Sequence, residues 1–301
     1  MTIQEEIRQL KEEKDAVILA HFYVPDEVQA IADHVGDSYR LSKIAAQLPN
    51  RTIVFCGVSF MGESGCLLSP DKTVLMPDPE ADCPMAHMVT KAEIDAARAE
   101  YDDLTVVCYI NSTAEIKSWS DVTVTSANAV DIVRRLPSHN ILFVPDRNLA
   151  RFVAAQVPEK NVMPVKGYCP IHETMSAREI AELKQAHPEA EVLVHPECGP
   201  EVSALADYIG STTGIIRRAH ESTARELIIG TEIGVAYELR KQNPDKTFYF
   251  PRTAPICRDM KKITLDKVLQ VLRTGEHRAA VDPRQAEAAS RTLSRMLELA
   301  K

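Results

Sequence analysis

The sequence has few aromatic residues and no sustained run of basic residues. Its 301 residues include seven Phe and one Trp, and the formal net charge at pH 7 is −8. Nucleic-acid-binding domains are usually basic and present aromatic rings on which bases can stack. We therefore expect no nucleic acid among the partners of this protein.

Long apolar runs are also missing. No stretch of about 18 consecutive apolar residues occurs, so the sequence predicts no membrane span. Residues 2–15, TIQEEIRQLKEEKD, predict a charged amphipathic helix with a capping box formed by Thr2 and Glu5, which is unlike a signal peptide. These absences indicate a cytoplasmic protein with no membrane among its partners.

The seven cysteines lack the pattern of a disulfide framework. Their number is odd, and no CxxC pair occurs in the sequence. Such a set is typical of reduced thiols, which are free to bind a metal. We interpret four of them, Cys56, Cys66, Cys108 and Cys198, as small buried apolar side chains.

What the sequence does contain is an internal repeat with a period of about 87 residues. Segments that start at residues 16, 104 and 190 align without gaps, and the positions that keep the same residue type in all three copies include Asp33, Asp121 and Asp207, then Lys72, Lys160 and Lys246. We expect the three Asp side chains to accept backbone hydrogen bonds and to be structural. The repeat predicts three domains, residues 1–87, 88–173 and 174–301, the last with additional C-terminal helices.

Short apolar runs alternate with stretches in which apolar residues recur every three or four positions. These patterns predict buried parallel strands and amphipathic helices, respectively. Strands are expected at residues 16–20, 52–55, 73–76, 105–110, 140–144 and 191–195, and helices at 38–48, 126–136 and 176–187. Further helices are expected to begin at Thr90, Ser176 and Thr264. We predict an α/β fold in which three pseudo-threefold-related αβα sandwich units with parallel sheets surround a central cavity.

Polar residues at the ends of the repeated strands are expected to face this cavity, because ligands bind at the carboxyl ends of parallel strands. The strand-end position holds His21, Tyr109 and His195, and the position two residues later holds Tyr23, Asn111 and Glu197. A third repeated position, predicted to cap a helix, holds Ser38, Ser126 and Thr212. Helix N-termini with such hydroxyl groups suit a carboxylate or a phosphate. The repeat therefore predicts an anion-binding cavity.

Three cysteines, Cys83, Cys169 and Cys257, occur once in each repeat. We interpret them as the ligands of one shared metal site. A structural zinc site would need a fourth ligand, commonly from a local CxxC or HxxxH pair that this trio lacks. An iron-sulfur cluster on three cysteines would leave one iron without a protein ligand, and that iron could act as a Lewis acid on a substrate.

Several motifs together resemble those of the quinolinate synthase family, and the resemblance covers essentially the whole chain. In chain order they are HFYVP (21–25), GDSYRLS (36–42), CGVSFMGES (56–64), CPMAH (83–87), CYINS (108–112), GYCPIHE (167–173), HPEC (195–198), STTG (211–214) and Cys257 followed by MKKIT. The resemblance implies three αβα units around a pseudo-threefold axis. It also implies a 4Fe-4S cluster with three cysteine ligands, Cys83, Cys169 and Cys257.

The same resemblance implies an activity and a set of residue roles. The reaction condenses iminoaspartate with dihydroxyacetone phosphate to give quinolinate, phosphate and water in the biosynthesis of NAD, and an aspartate-oxidising enzyme would supply the iminoaspartate. Substrate binding would fall on His21, Ser38, Tyr109, Asn111, Ser126, His195, Glu197 and Thr212. The catalytic set would comprise Tyr23, Glu197, Tyr109 and His195, with Tyr23 and Glu197 as the acid-base pair.

Two other functions stay open at this point. One is another 4Fe-4S hydro-lyase that acts on a hydroxy acid, and the other is a non-enzymatic carrier of a cluster or of zinc. Longer members of the family carry a CxxC pair that can form a regulatory disulfide. Because this sequence has no CxxC pair, we expect no redox switch of that type.

Overall fold

The computed structural model describes residues 2–253 and 255–300. Within these residues the chain forms three parallel sheets of four strands, each flanked by helices. All three sheets have the same strand order, in which the second strand of the unit lies at one edge and is followed by the first, third and fourth strands. The predicted α/β fold with three αβα units is thus confirmed.

The first unit begins with a helix that precedes its first strand. Its elements are α1 (Ile3–Glu13), β1 (Ala16–His21), α2 (Asp26–Ile31), β2 (His34–Gly36), α3 (Ser38–Gln47), β3 (Thr52–Cys56), α4 (Ser59–Leu68), β4 (Thr73–Leu75) and a 3-10 helix, Pro84–His87. The second unit follows the same order. Its elements are α5 (Lys91–Glu100), β5 (Thr105–Tyr109), α6 (Ala114–Ser118), β6 (Val122–Val124), α7 (Ala129–Arg135), β7 (Asn140–Val144), α8 (Arg147–Gln156), β8 (Asn161–Pro164) and α9 (Pro170–Glu173).

The third unit repeats the pattern once more and is followed by two further helices. Its elements are α10 (Ala177–Ala186), β9 (Glu191–Val194), α11 (Pro200–Ser203), β10 (Tyr208–Ile209), α12 (Thr212–Glu221), β11 (Glu226–Gly230), a 3-10 helix (Ile233–Val235), α13 (Ala236–Gln242), β12 (Thr247–Tyr249) and a 3-10 helix, Met260–Lys262. The last two helices are α14 (Leu265–Thr274) and α15 (Pro283–Leu299). They pack back onto the earlier units, α14 against α1 and α15 against α4, α6 and β6.

Each sheet lies within one of the predicted domains, 1–87, 88–173 and 174–301, whose exact boundaries stay a prediction. The six predicted strands are confirmed, and their ends differ from the prediction by one residue at most. The edge strands β2, β6, β8, β10 and β12 are too short for a hydrophobic period to reveal them. β11 has the same apolar pattern as the predicted strands and is a strand that the prediction omits.

Side-chain caps begin the helix that precedes the first strand of each unit and also the C-terminal helix α14. The hydroxyl groups of four residues accept the N–H of the residue three positions later, namely Thr2, Thr90, Ser176 and Thr264. Such caps satisfy one of the free donors at a helix N-terminus. The predicted helix starts and the capping box of Thr2 and Glu5 are confirmed. Among the described residues, no helix is both long enough and apolar enough to cross a membrane.

The repeated Asp residues anchor the first strand of each sheet, as predicted. Each carboxylate accepts a strand N–H, from Ile18 to Asp33 at 2.8 Å, from Val106 to Asp121 at 2.7 Å and from Val192 to Asp207 at 2.8 Å. A cation on the preceding helix pairs with each Asp: Lys11, Arg98 and Lys184. One carboxylate therefore joins a helix, a strand and the loop before the edge strand in every unit.

The repeated Lys residues serve the helix that follows the edge strand. Each ammonium group donates to two carbonyl oxygens at the C-terminal end of that helix or just beyond it: Lys72 to Ala45 and Leu48, Lys160 to Leu136 and Ser138, and Lys246 to Ala219 and Ser222. A cation at this end of a helix donates hydrogen bonds to its free carbonyl groups and interacts favourably with the negative end of the helix dipole. The repeated Lys thus has a structural role in each unit.

Removing one of the Asp anchors should weaken the fold without reaching the cavity. We expect Asp121→Ala to lower the free energy of unfolding by about 1–2 kcal/mol, because the N–H of Val106 loses its acceptor. Urea denaturation measures this change. The exposed Asp102→Ala is the matched control and should change the stability by less than about 0.5 kcal/mol. Equal stabilities of the two variants would show that the anchor contributes nothing.

Candidate active site

A cavity of about 240 Å³ lies where the three units meet. Its walls include residues from β1 and β5 and from the loops that follow β3, β9 and β11, as expected for the carboxyl ends of parallel strands. All twelve of the residues that the sequence singles out line this one cavity: His21, Tyr23, Ser38, Cys83, Tyr109, Asn111, Ser126, Cys169, His195, Glu197, Thr212 and Cys257. The structure therefore brings the predicted residues together, while their individual roles stay predictions.

The two strand-end histidines are held in one tautomer by the backbone. The N–H of Tyr23 donates to Nδ1 of His21 at 3.2 Å, and the N–H of Glu197 lies 3.4 Å from Nδ1 of His195. Because Nδ1 accepts a hydrogen bond, the ring proton resides on Nε2. For His195, Nε2 lies 3.3 Å from Oγ of Ser126, which belongs to the neighbouring unit.

Both histidines are neutral in this cavity. Burial lowers the pKa of His21 and of His195 to about 3, and the nearby charge of Glu197 offsets only part of that effect. Each ring can therefore offer an Nε2–H donor to a ligand but no positive charge. Anion recognition by these residues depends on hydrogen bonding.

The prediction that Ser38, Ser126 and Thr212 cap helices is wrong. The caps of α3 and α12 are the preceding residues, Asp37 and Ser211, whose side chains accept an N–H at 3.0 Å and 3.1 Å. Asp and Ser are strong N-caps, so they take this role. Ser38 and Thr212 become the first helical residues, and α7 begins only after Ser126. The cavity-lining hydroxyl groups are thus not the ones that cap these helices.

The phenol of Tyr23 is the start of a continuous hydrogen-bonded chain. Its hydroxyl group lies 2.7 Å from Oγ1 of Thr212 and 2.8 Å from Oγ1 of Thr231. Burial, followed by the charge of Glu197, raises the pKa of Tyr23 well above its usual value of about 10. Tyr23 is therefore protonated unless its proton can pass to a neighbour.

His172 continues this chain from Thr231 to Glu197. Its Nε2 lies 2.9 Å from Oγ1 of Thr231, and its Nδ1 lies 2.7 Å from Oε2 of Glu197. Sequence reasoning missed both His172 and Thr231. The position of Thr231 directly after β11 was the available signal, because that is the carboxyl end of a central strand. The chain joins the two residues predicted to be the acid-base pair.

Glu197 is a buried carboxylate with one uncommitted oxygen. Burial by itself would raise its pKa, but the nearby imidazoles and the hydrogen bond from His172 hold the pKa at about 2. No described residue offers Oε1 a well-oriented hydrogen bond, although Tyr109 lies beside it. An unpartnered polar atom at this depth needs an explanation. A bound ligand with a donor group would supply the missing partner.

The three cysteines lie on loops that are tied to carboxylates. The N–H of Cys83 donates to Asp82 at 2.7 Å, that of Cys169 to Asp146 at 3.0 Å and that of Cys257 to Glu232 at 3.1 Å. Burial raises the pKa of all three thiols, for Cys257 to about 11. A metal cation would reverse this effect, since it stabilises thiolates.

The donor set fits a thiophilic metal centre. Three sulfur atoms, one from each unit, line the same cavity, and the charges of the thiolates would act on one another. Ligand atoms of Cys169, His172 and Glu197 also lie within 4.8 Å of one another. His172 and Glu197 are nevertheless hydrogen-bonded to each other, which leaves the three thiols as the uncommitted donors.

The other cysteines lie away from this site. Cys56, Cys108 and Cys198 are buried, as predicted, whereas Cys66 is only half-buried and its thiol contacts the carbonyl oxygen of Ala279. None of these four described residues lines the cavity. All seven cysteines are free thiols, as expected for reduced cysteines.

Comparison with known proteins gives a consistent picture. Residues 5–298 match the family described as quinolinate synthetase A protein. A quinolinate synthase of Caldicellulosiruptor saccharolyticus is 49% identical over 297 residues, which cover 99% of this chain and 98% of the relative. Quinolinate synthases of Clostridioides difficile (48% over 296 residues, 98% and 97% covered) and Methanoregula boonei (48% over 297 residues, 99% and 98% covered) are similar at nearly full length.

The neutral state of the two histidines can be tested by NMR. In metal-free protein labelled with 15N-histidine, we expect two rings to keep Nε2–H and an unprotonated Nδ1 from about pH 8 to about pH 5, since their pKa lies far below this range. Spectra of His21→Asn and His195→Asn assign the two signals. If either ring titrates with a midpoint near the ordinary value of about 6.5, the account of the buried histidines is wrong.

Proposed function

We propose that this chain, which belongs to the quinolinate synthetase A family, is a quinolinate synthase that condenses iminoaspartate with dihydroxyacetone phosphate to give quinolinate, phosphate and water. The observation that carries the proposal is the single cavity that joins three cysteine loops to a buried proton-transfer chain. The three cysteine loops offer a place for a metal cluster. The buried chain offers the proton transfer that a dehydration requires.

Cys83, Cys169 and Cys257 would hold a 4Fe-4S cluster through one thiolate from each unit. When bound, such a cluster supplies a Lewis acid at the iron that has no cysteine ligand. The absence of a fourth cysteine from the cavity wall formed by the described residues agrees with this ligand count. Within residues 2–253 and 255–300, the one basic side chain at hydrogen-bond distance from these thiols is His172, beside Cys169.

The substrates would be held by neutral donors in the cavity wall. Both substrates carry carboxylate or phosphate groups, which hydrogen-bond donors can bind in a site shielded from water. The donors would be the Nε2–H groups of His21 and His195, the hydroxyl groups of Ser38, Ser126 and Thr212, and the side chains of Tyr109 and Asn111. These groups come from all three units, so a bound substrate would contact all three units.

The chain from Tyr23 to Glu197 supports a role in proton transfer. Tyr23 O–H can donate to Thr231, the hydroxyl group of Thr231 to Nε2 of His172, and Nδ1–H of His172 to Glu197. The low pKa of Glu197 and the raised pKa of Tyr23 make Glu197 the base and Tyr23 the acid at the two ends of this chain. Glu197 could accept a proton from a carbon atom of the condensation product while Tyr23 donates one to the departing hydroxide, and one proton passed back along each bond of the chain would restore both residues.

Iminoaspartate hydrolyses readily in water, so its source has to be an enzyme that oxidises aspartate. We propose a functional coupling to such an enzyme, in a compartment where the thiols stay reduced, which is the cytoplasm. The two alternatives are less well supported. A carrier of a cluster or of zinc has no use for the buried chain of four residues, and a hydro-lyase for one hydroxy acid has no need of donors for two substrates.

Anaerobic reconstitution tests the proposal directly. After incubation with iron and sulfide, the protein should show the absorption of a 4Fe-4S cluster and form quinolinate from the two substrates. Cys169→Ser should lose both properties, whereas the matched control Cys56→Ser should keep both, because Cys56 is buried away from the cavity. Stoichiometric zinc without a cluster spectrum, or a cluster retained in Cys169→Ser, would contradict the assignment.

Substitution of Tyr23 separates catalysis from cluster binding. Tyr23→Phe removes the first hydroxyl group of the proton-transfer chain, so kcat should fall by about 10²–10⁴-fold. The cluster spectrum should stay unchanged, since Tyr23 is not a proposed ligand. Tyr101→Phe, on the surface of the second unit, is the control and should retain full activity. A Tyr23→Phe enzyme with normal kcat would exclude this residue from proton transfer.

A further inference from the structure

The side chains of Glu232 and Lys261 form an ion pair beside the cavity. Glu232 follows β11 and is fully buried, and its Oε1 lies 2.8 Å from Nζ of Lys261. Glu232 also accepts the N–H of Cys257 at 3.1 Å and that of Gly234 at 2.6 Å. Lys261 donates to the backbone carbonyl oxygen of Tyr23 at 2.5 Å. One pair of side chains thus contacts both a cysteine loop and the loop of the proposed acid-base residue.

We propose that Glu232 and Lys261 are positioning residues that fix Cys257 and Tyr23 relative to each other. The inference rests on the proposed function, because it assumes that Cys257 binds the cluster and that Tyr23 transfers protons. It adds a link between these two parts of the site. A change in the pair should therefore affect both the cysteine loop and the tyrosine loop.

The position of Glu232 in the repeat supports this role. Val58, Asp146 and Glu232 occupy the same place, two residues after β3, β7 and β11. Asp146 accepts the N–H of Cys169, as Glu232 accepts that of Cys257. In the first unit the place is apolar, and Asp82 binds the N–H of Cys83 instead. The contact between a carboxylate and the cysteine N–H is present in all three units although its source in the sequence differs.

Glu232 differs from the other two carboxylates in its cationic partner. A carboxylate without solvent exposure is costly unless it is paired and hydrogen-bonded. Lys261 supplies the charge, and the same Nζ lies within hydrogen-bond distance of the Tyr23 carbonyl oxygen. Lys261 therefore joins the carboxylate that binds the Cys257 N–H to the backbone of Tyr23.

The backbones of the first and third units approach each other very closely at this point. A Cβ atom on Gly234 would lie 2.7 Å from the carbonyl oxygen of Phe22 and 2.8 Å from Cα of Tyr23, which is too close for any side chain. Gln29, which is buried, donates to the carbonyl oxygens of Phe22, Val24 and Gly234 at 2.8–3.0 Å. The Tyr23 loop is thus in contact with the segment that carries Glu232, and the ion pair extends this contact to Cys257.

The test compares three variants in the full-length protein. Lys261→Met removes the charge, Lys261→Arg keeps it, and Lys267→Met removes a different ion pair, with Asp78, that does not line the cavity. Two rates are measured: alkylation of Cys257 in metal-free protein, by peptide mass spectrometry, and loss of iron from the reconstituted protein to a chelator. Cys83 is the internal control for alkylation, because general unfolding would expose both thiols.

We expect Lys261→Met to speed alkylation of Cys257 and loss of iron by about tenfold each, as for a loop that opens more often, with little change at Cys83. Its kcat should also fall by about tenfold, since Tyr23 is displaced. Lys261→Arg keeps the charge, so its alkylation rate, rate of iron loss and kcat should lie close to those of the original protein. Lys267→Met should also match the original protein in all three quantities. If Lys261→Met does not fold, Lys261→Gln takes its place. This variant should speed alkylation of Cys257 and loss of iron by about threefold and lower kcat by about threefold.

Rates for Lys261→Met that match those of the original protein would overturn the proposal. Equal acceleration at Cys83 and Cys257 would also overturn it, because this result would indicate a general loss of stability. This test can fail independently of the test of the proposed function. A protein that never assembles a cluster would refute the proposed function, while the alkylation rates in metal-free protein would still decide whether the ion pair holds Cys257.

Discussion

Parallel pairing of the strands is the constraint on which the site depends. It places the carboxyl ends of the central strands at one edge of each sheet, and polar residues that follow those strands project from that edge. Three sheets with the same order of strands meet so that these edges enclose one cavity. Residues about 87 positions apart in sequence therefore become neighbours. The repeated Asp and Lys anchors stabilise each unit but take no part in the cavity.

The electrostatics of the cavity follow from burial. The histidines are neutral because removing them from water lowers their pKa to about 3, and Tyr23 is protonated because the same effect raises its pKa. Glu197 is the exception: burial alone would raise its pKa, but its environment, which includes a hydrogen bond from Nδ1 of His172 at 2.7 Å, lowers the pKa instead. The site thus combines neutral donors, which suit anionic substrates, with one buried base. In a protein of net charge −8, the proposed binding of anionic substrates would therefore depend on local hydrogen bonds rather than on a positive surface.

The sequence predicts much of this site because the chain repeats itself. Polar residues that recur at the carboxyl ends of the strands, and the cysteines that recur in the loops, can be assigned to the cavity from the repeat together with the direction of the strands. His172 and Thr231 cannot be found in this way, because they do not recur. The residues equivalent to His172 are Ala86 and Met260, and those equivalent to Thr231 are Gly57 and Pro145. An asymmetric function has to depart from the repeat somewhere. The hydrogen-bonded chain from Tyr23 to Glu197 is a place where this site does so.

Local competition explains the other differences. Ser38 and Thr212 have the right residue type and position to cap helices, but Asp37 and Ser211 stand one residue earlier and form the caps. Only the backbone conformation decides between two adjacent capping residues. Among the six edge strands of the described residues the sequence predicts only β4, because the formation of the other five depends on pairing with a central strand and not on their own composition.

The central claim is that three cysteines, one from each unit, hold a cluster whose remaining iron faces the substrate donors. Mössbauer spectroscopy of protein reconstituted with 57Fe tests it most directly. The account predicts a 4Fe-4S spectrum in which one iron in four differs from the rest and changes when quinolinate is added, as expected for an iron without a cysteine ligand. Four irons that are unaffected by quinolinate, or a site occupied by zinc alone, would contradict it.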